Sequence, residues 1–404
     1  MLYKRDIYLN RLIDYKDTEF IKIITGVRRS GKSFVLKLFM NYLIENGIDD
    51  SQIIYVNFEH PDFQSIINAD RFYEYLLLLT EKDQKYYFLF DEVQDVMGWQ
   101  KTINGLRVKY DCDIYITGSN ASMLSGELAS YLSGRYVEIK VLPLSFKEFL
   151  DFKTYSEDSK IDRYFEEYMQ IGSFPSVVLL NNANLVDDVL LGIYDSILLK
   201  DVSLRGKIKD IQLLRRIVEF IFDNTGKPVS SNSIAKSLTV HGIKTRNETV
   251  EVYLNLLENA FMVYKAQRFN IRGKEILKGQ SKYYCIDNGL RNVVLGRNRG
   301  NFGLALENVV FLELIRRGYE VSVGKFDQYE VDFVCTKVQD TCYIQVAYDI
   351  PKNSSRETDN LLKISDAYKK IVITANRMNV GTINGIEIIY ITDFLLNRNI
   401  TKDN

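Results

Sequence analysis

The octet "GVRRSGKS", Gly26 to Ser33, has the residue types and spacing of a loop that holds phosphate. It fits G-x-x-x-x-G-K-[ST], with Gly26, Gly31, Lys32 and Ser33 at the defined positions. Glycines let backbone N–H groups turn inward around anionic oxygens. A helix beginning at the loop adds the positive end of its dipole. Lys32 would then reach the β- and γ-phosphates of ATP, and Ser33 would ligate Mg2+. The candidate cofactor-binding stretch is Gly26, Val27, Arg28, Arg29, Ser30, Gly31, Lys32, Ser33 and Phe34. The backbone cradle does not need the side chains of Arg28 and Arg29, which could face phosphate, a partner or solvent.

Three more segments carry chemistry that suits such a loop. "YYFLFDEVQ" is an apolar run ending in Asp91 and Glu92. Asp91 could hold the magnesium shell, and Glu92 could polarise an attacking water. "IYITGSNASML" places Thr117, Ser119 and Asn120 at a strand tip, where small polar groups could sense the γ-phosphate or the water. Asn120 is the candidate catalytic member of that group. In "LSGRYVEIKVLPL", Arg135 could stabilise charge on the γ-phosphate, in its own chain or a neighbour's. An ordinary surface ion pair is the other reading of Arg135.

These residues need a scaffold that gathers strand ends. The β-branched run 21–25 is a strand, and a helix is expected from Lys32 to Glu45. Further strands are read at 51–60, 85–93 and 112–120, with a fifth in "YVEIKVLPL", and helices between them. Such alternation implies an α/β fold with a parallel sheet covered on both faces. Past "PLSFKEFLDF" the pattern becomes helical to about residue 225. From Phe302 it reads helix, three strands, helix, strand. Three domains follow: 1–155, 156–300 and 301–404.

The whole chain narrows the classes. Its 404 residues carry a net charge of −1, so nucleic acid would need a local basic patch. The charged start "MLYKRDIYLNRLIDYKD" is no signal peptide, and no apolar run is long enough to span a bilayer. Cys112, Cys285, Cys335 and Cys342 form no CxxC pair, and there are two histidines. A reduced, cytoplasmic protein without a structural zinc site is expected.

The chain resembles the AAA-type ATP-binding proteins of bacteria and archaea with a C-terminal domain of unknown function. The resemblance rests on "KRDIYLNRL", "GVRRSGKS", "YYFLFDEVQ", "TGSNASML", "SGRYVEIKVLPLSFKEF", "YMQIGSFP", "KYYCIDNGLRN" and "ALENVVFLELIRRGYEV", in order over almost the whole length. The family's nucleotide-site residues fall on Gly26, Gly31, Lys32, Ser33, Asp91 and Glu92. The resemblance implies an additional-strand P-loop ATPase core, a winged-helix middle and a restriction-endonuclease-like C-terminal fold. It implies no defined cellular task.

Residues 210–285 read as a winged helix. Its third helix, "TRNETVEVYLNLLENA", carries Glu248, Glu251 and Glu258 against Arg246, which argues against insertion into a DNA groove. The wing from 265 to 282 holds Lys265, Arg268, Arg272, Lys274, Lys278 and Lys282 against Glu275. That patch could contact the backbone of double-stranded DNA; a protein-contact hairpin is the other reading. The nuclease-like fold would place Glu307 on a helix and Asp332 on a strand, but Gln345 and Ala347 replace the acid and lysine of the next strand. Lys337 or Lys352 could migrate in, although nothing in the sequence requires it. The domain is expected to be catalytically inactive. The function expected is a Mg2+-dependent ATPase acting on DNA or on an unidentified protein partner, with homo-oligomers required if Arg135 acts between subunits. The alternatives are a nucleotide-gated binding module with little turnover and an ATP-dependent nuclease.

Overall fold

The computed structural model describes residues 3–81, 83–124, 134–155, 157–180, 182–297, 301–338, 340–351 and 356–398. The chain forms two compact units, Met1–Pro143 with Asn259–Phe261, and Leu144–Glu258 with Met262–Asn404.

The first unit is an α/β layer built on five parallel strands, β1 (Ile21–Thr25), β2 (Ile53–Asn57), β3 (Tyr86–Asp91), β4 (Cys112–Gly118) and β5 (Tyr136–Lys140). Their order across the sheet is β2-β3-β4-β1-β5. Helices α1 (Asp6–Asp14), α2 (Lys32–Glu45), α3 (Ala69–Leu79) and α4 (Trp99–Lys109) accompany them. Every residue of β1 is buried, because successive side chains feed cores on opposite faces. Ile21 and Ile23 join Phe72, Leu76, Trp99 and Ile103 of α3 and α4. Ile24 joins Tyr8, Leu12, Val35 and Phe39 of α1 and α2. Each such apolar side chain contributes roughly 1.5–3 kcal/mol on burial. Lys22 lies within the same run and is also fully buried. Its ammonium meets Asp113 Oδ1 at 2.5 Å, and Asp113 also accepts from Tyr115 OH at 2.8 Å.

The second unit begins with helices α5 (Phe146–Phe152), α6 (Ile161–Ile171), α7 (Pro175–Val178) and α8 (Ala183–Ser196), the last continuing as a π-helical stretch Ile197–Leu204. There follow α9 (Ile211–Asp223), β6 (Pro228–Val229), α10 (Ser231–Val240), α11 (Asn247–Asn259), and the hairpin β7 (Val263–Asn270) and β8 (Glu275–Cys285). The chain ends with α12 (Asn288–Leu295), α13 (Phe302–Arg316), β9 (Glu320–Phe326), β10 (Tyr329–Lys337), β11 (Asp340–Ala347), α14 (Arg356–Leu362), β12 (Lys369–Thr374), β13 (Gly381–Ile383), β14 (Ile386–Tyr390) and α15 (Ile391–Leu395). Nine of these strands make one mixed sheet, β13-β14-β12-β11-β10-β9-β7-β8-β6.

That sheet differs from the expected division at residue 300. The edge of the hairpin does not face solvent: β7 pairs in parallel with β9, Arg268 opposite Val323, so backbone groups on both sides of residue 300 satisfy one another. By packing, the two compact units divide at 143/144, ahead of the expected boundary at 155. Ser145 and Glu148 form a capping box that starts α5, and Phe146 packs edge-on against Phe165 and Tyr168 of α6, within the second unit.

Two of the sequence motifs meet in a buried polar knot. Asp287 caps α12 through Leu290 N at 2.8 Å and accepts from Ser173 N at 2.6 Å and Ser173 Oγ at 2.7 Å. A side chain at Gly172, where φ is +78°, would place Cβ 2.1 Å from Asp287 Oδ1. The same at Gly289 would stand 2.1 Å from the Ile171 carbonyl. "IGSFP" and "CIDNGLRN" are thus explained by packing. Among the described residues no helix is long and apolar enough to cross a membrane.

Candidate functional site

The sheet order positions the site. β4 lies between β1 and β3, so the loop after Thr25, the acids ending β3 and the small polar residues after β4 emerge along one edge. The loop needs its first glycine. Gly26 has φ +145°, and a Cβ there would stand 2.1 Å from the Val141 carbonyl. Gly31 is the N-cap of α2 in the left-handed region, φ 99°. Arg29 also has positive φ, 65°. Val27 and Ser30 are buried, Arg29 is exposed, and Arg28, Gly31, Ser33 and Phe34 are half-buried. Ser30 Oγ is buried with no hydrogen-bond partner among the described residues.

Lys32 turns its ammonium back over its own loop, 3.1 Å from the Gly26 carbonyl and 3.3 Å from that of Val27. It also stands 3.3 Å from Glu92 Oε1, and 3% of Lys32 is exposed. Asp91 Oδ1 accepts from Thr117 Oγ1 at 2.5 Å and Oδ2 from Tyr55 OH at 3.2 Å; the nearby Ser33 hydroxyl favours the ionised form of the same carboxylate. Thr117 Oγ1 in turn accepts from Glu92 N at 2.8 Å, which links the two acids. Glu92 adopts a left-handed backbone, φ 54°. Its Oε2 accepts from Ser119 Oγ at 2.9 Å and from Gln94 Nε2.

The neighbouring acids are pushed in opposite directions. Burial raises Asp91 above the ordinary carboxylate value, against hydrogen bonds from Thr117 and Ser33. Burial also acts to raise Glu92, but the Lys32 ammonium, Gln94, Arg28 and Ser119 outweigh it and hold Glu92 at about 2. Environments that separate two carboxylates in this way mark groups with different tasks. Arg28 Nη1 lies 2.5 Å from Glu59 Oε1.

The structure therefore brings together Gly26, Lys32, Ser33, Asp91, Glu92, Thr117 and Ser119. Asn120 is buried beside them, and its Oδ1 accepts from Ser122 N at 2.8 Å, capping the turn Ala121–Leu124. Arg135 is not brought to this edge. Its carbonyl accepts from Ile21 N, and Tyr136 is in register with Ile21 at the start of β1. The loop leaves the other end of β1, roughly 16 Å away at about 3.3 Å per residue. The backbone of Arg135 therefore stands at the end of β1 remote from the loop of its own chain. Tyr55 and Gln94 were missed in the sequence; Gln94 sits two residues past Glu92 in the acidic motif, which was an available signal.

A second cluster lies in the C-terminal sheet. Glu307 of α13, Glu330 and Asp332 of β10 surround the Lys282 ammonium at 3.2, 3.2 and 3.6 Å. Tyr284 OH donates to Glu307 Oε1 at 2.7 Å, and Val346 N to Asp332 Oδ2 at 2.9 Å. Gln345 Nε2 donates to Glu357 Oε2 at 3.0 Å. Lys282 was expected on the surface of the wing. It is 4% exposed because the last part of β8 lies inside the sheet, where its strand is buried from Ser281 to Cys285. Arg268 is half-buried, and Arg272 is paired with Asp327 at 2.8 Å. The exposed basic groups of the hairpin are Lys265, Arg272, Lys274 and Lys278. Lys337 donates instead to the Arg317 carbonyl at 2.7 Å, and Lys352 lies outside the described residues.

Residues 18–150 match the model of the AAA domain, and residues 162–300 match a domain of unknown function (DUF8612). An uncharacterised protein of Haemophilus influenzae is 48% identical over 400 residues, 98% of this chain and 99% of that protein. The chain belongs to the family of that protein, and its own residues 18–150 are an AAA domain. A second relative, the uncharacterised protein MJ1544 of Methanocaldococcus jannaschii, is 33% identical over 391 residues, 92% of this chain and 85% of the relative. Among solved structures, the Walker-type ATPase PABY2304 of Pyrococcus abyssi aligns with a TM-score of 0.48 at 15% identity, over 72% of this chain and 95% of that one. Residues 18–150 of this family member are thus an AAA domain, and the loop and acids described above lie along one edge of its five-stranded parallel sheet.

Proposed function

We propose that the protein is a Mg2+-dependent ATPase that couples ATP binding and hydrolysis to remodelling of DNA or of a protein partner. The observation that carries this reading is the convergence of Lys32, Ser33, Asp91 and Glu92 at one sheet edge. Lys32 would exchange two loop carbonyls and Glu92 for the β- and γ-phosphates. Ser33 and Asp91 fit a divalent cation, since a hydroxyl and a buried carboxylate already meet beside the loop. Mg2+ held there supplies neutralisation of phosphoryl charge. Glu92, ionised and released from Lys32, would orient the attacking water and draw on its proton, with Ser119 and Gln94 fixing its carboxylate. Asn120, at the same edge, would steady the turn that carries Ser119.

Arg135 would complete the nucleotide site of a neighbouring protomer, which requires a homo-oligomer. Lys265, Arg272, Lys274 and Lys278 would contact the backbone of double-stranded DNA without reading its sequence. In the C-terminal sheet the Lys282 ammonium compensates carboxylates that a nuclease would use to hold a metal, and this supports a domain that does not cleave DNA.

Steady-state ATP turnover by the purified chain, with and without double-stranded DNA, tests the proposal. Turnover that needs Mg2+ and is lost in Lys32→Ala and Glu92→Gln is expected, and stimulation by DNA would point to DNA as the substrate of the work. A purified wild type that neither binds nor cleaves ATP would sink it. The Lys32–Glu92 pair favours a second reading, a nucleotide-gated switch, because phosphate must break that pair on entry. Negligible turnover, with partner binding retained by ATP-loaded Glu92→Gln, would favour the switch.

A further inference from the structure

The motif "KRDIYLNRL" matches the family yet has no place in the chemistry above. Arg5 within it is among the largest fully buried side chains, 1% exposed. It lies just before α1, at the N-cap. Its guanidinium donates from Nη1 to the Ser30 carbonyl at 2.6 Å and from Nη2 to the Leu142 carbonyl at 2.9 Å. The guanidinium also lies over the Tyr8 ring, 4.7 Å from its centroid, and Tyr8 OH accepts from Leu142 N at 3.2 Å. One planar fork thus ties the start of α1, the phosphate loop and the segment after β5.

Ser30 is the residue whose carbonyl belongs to the same peptide unit as the Gly31 N–H. That unit is planar and trans, so the carbonyl and the N–H point in opposite directions. Arg5 holding the carbonyl outward therefore directs the Gly31 N–H to the other side, the concave side on which such loops meet phosphate. Glycine at 31 makes this restraint necessary. Its φ of 99° is open to glycine, and glycine tolerates either hand, so steric exclusion does little to stop this peptide plane from turning over. Turned over, it would present a carbonyl oxygen to an anion.

We propose that Arg5 is a positioning residue for the nucleotide, locking the Ser30–Gly31 peptide with its N–H toward the phosphates. This inference rests on the nucleotide reading of the loop. A charge-assisted hydrogen bond of this kind is stronger than a neutral one. Removing it lowers ATP affinity by about tenfold to a hundredfold. Arg5→Lys does not restore it, because one ammonium cannot reproduce the two-pronged, planar contact with carbonyls on separate segments.

The test measures binding of a fluorescent ATP analogue with Mg2+ to full-length wild type, Arg5→Ala, Arg5→Lys and Lys32→Ala. The expected result is weakened binding in both Arg5 variants, with Arg5→Ala recovered by millimolar guanidinium and unmoved by the same concentration of sodium chloride. A general loss of stability would not be repaired by guanidinium, which is itself a denaturant. If Arg5→Ala does not fold, Arg5→Lys carries the measurement. Wild-type affinity in a folded Arg5→Lys overturns the proposal, as does a loss in Arg5→Ala that guanidinium leaves unrepaired. If wild type itself binds no nucleotide, it is the reading of the loop that fails; if wild type binds and Arg5→Lys equals it, only the role of Arg5 falls.

Discussion

Replacing Lys282 by Met removes one positive charge from a pocket with three carboxylates. The Lys282 ammonium is 3.2 Å from Glu307, 3.2 Å from Glu330 and 3.6 Å from Asp332, with side-chain exposures of 11%, 32% and 13% for the acids. Glu330 can turn to solvent, so its share is discounted. Glu307 and Asp332 are left buried without a cation, and breaking a buried pair costs about 3–5 kcal/mol. The penalty has a definite pH dependence. Burial and Asp332 already push Glu307 up to about 7 even with Lys282 present. Without the ammonium the folded values of both acids rise further above their unfolded values. Stability is then fully present below the unfolded carboxylate range and is lost as pH rises through the folded values. Lys282→Met is therefore expected to lose about 3 kcal/mol near pH 7.5 and distinctly less near pH 5. Urea unfolding followed by far-UV circular dichroism reads this loss. Trp99, the single tryptophan, lies in the first unit, so its fluorescence reports that unit and not the pocket around Lys282. A double substitution with Glu307→Gln should recover part of the loss. If Lys282→Met is within about 1 kcal/mol of wild type at both pH values, the worth of an exposed pair, the ammonium is not compensating this pocket.

Other consequences are equally specific. Gly26→Ala puts a methyl 2.1 Å from the Val141 carbonyl at φ +145°, so it should abolish binding of a fluorescent ATP analogue; near-normal affinity would show that the loop relaxes. Asp113→Ala should destabilise the first unit by about 3–5 kcal/mol, read from Trp99 fluorescence in urea, whereas Lys22→Met with Asp113→Leu should recover most of it. Glu92 is held at about 2 chiefly by the Lys32 charge, which ATP should draw away. The acid limb of kcat should accordingly lie at higher pH than that of kcat/KM, and coincident limbs would mean that Lys32 stays with Glu92 in the complex.

The parts of the fold that were legible in the sequence are those with local causes. The strand at 21–25 and the helix at 32–45 coincide with their expected limits, because a buried apolar run and a glycine-started helix are written in adjacent residues. The site acids were legible for the same reason, as a strand terminus. Long-range pairing was not. Lys22 looks like an interruption in an apolar run, and its partner Asp113 is 91 residues away. Lys282 reads as one more basic residue of a hairpin until β8 is known to continue into the C-terminal sheet. Ser173 and Asp287 are 114 residues apart. Arg135 is different, since its position was inferable. A residue just before a strand parallel to β1 must lie at the end remote from the loop.

The central claim is that the loop from Gly26 to Ser33 holds the phosphates of ATP through Lys32. Titration calorimetry of the full chain with Mg2+ and a slowly hydrolysed ATP analogue addresses it most directly. The account predicts one site per chain in wild type, loss of binding in Lys32→Ala, and tighter binding in Glu92→Gln, where the carboxylate no longer competes for the ammonium. Wild type without a binding heat, or Lys32→Ala with wild-type affinity, would contradict it.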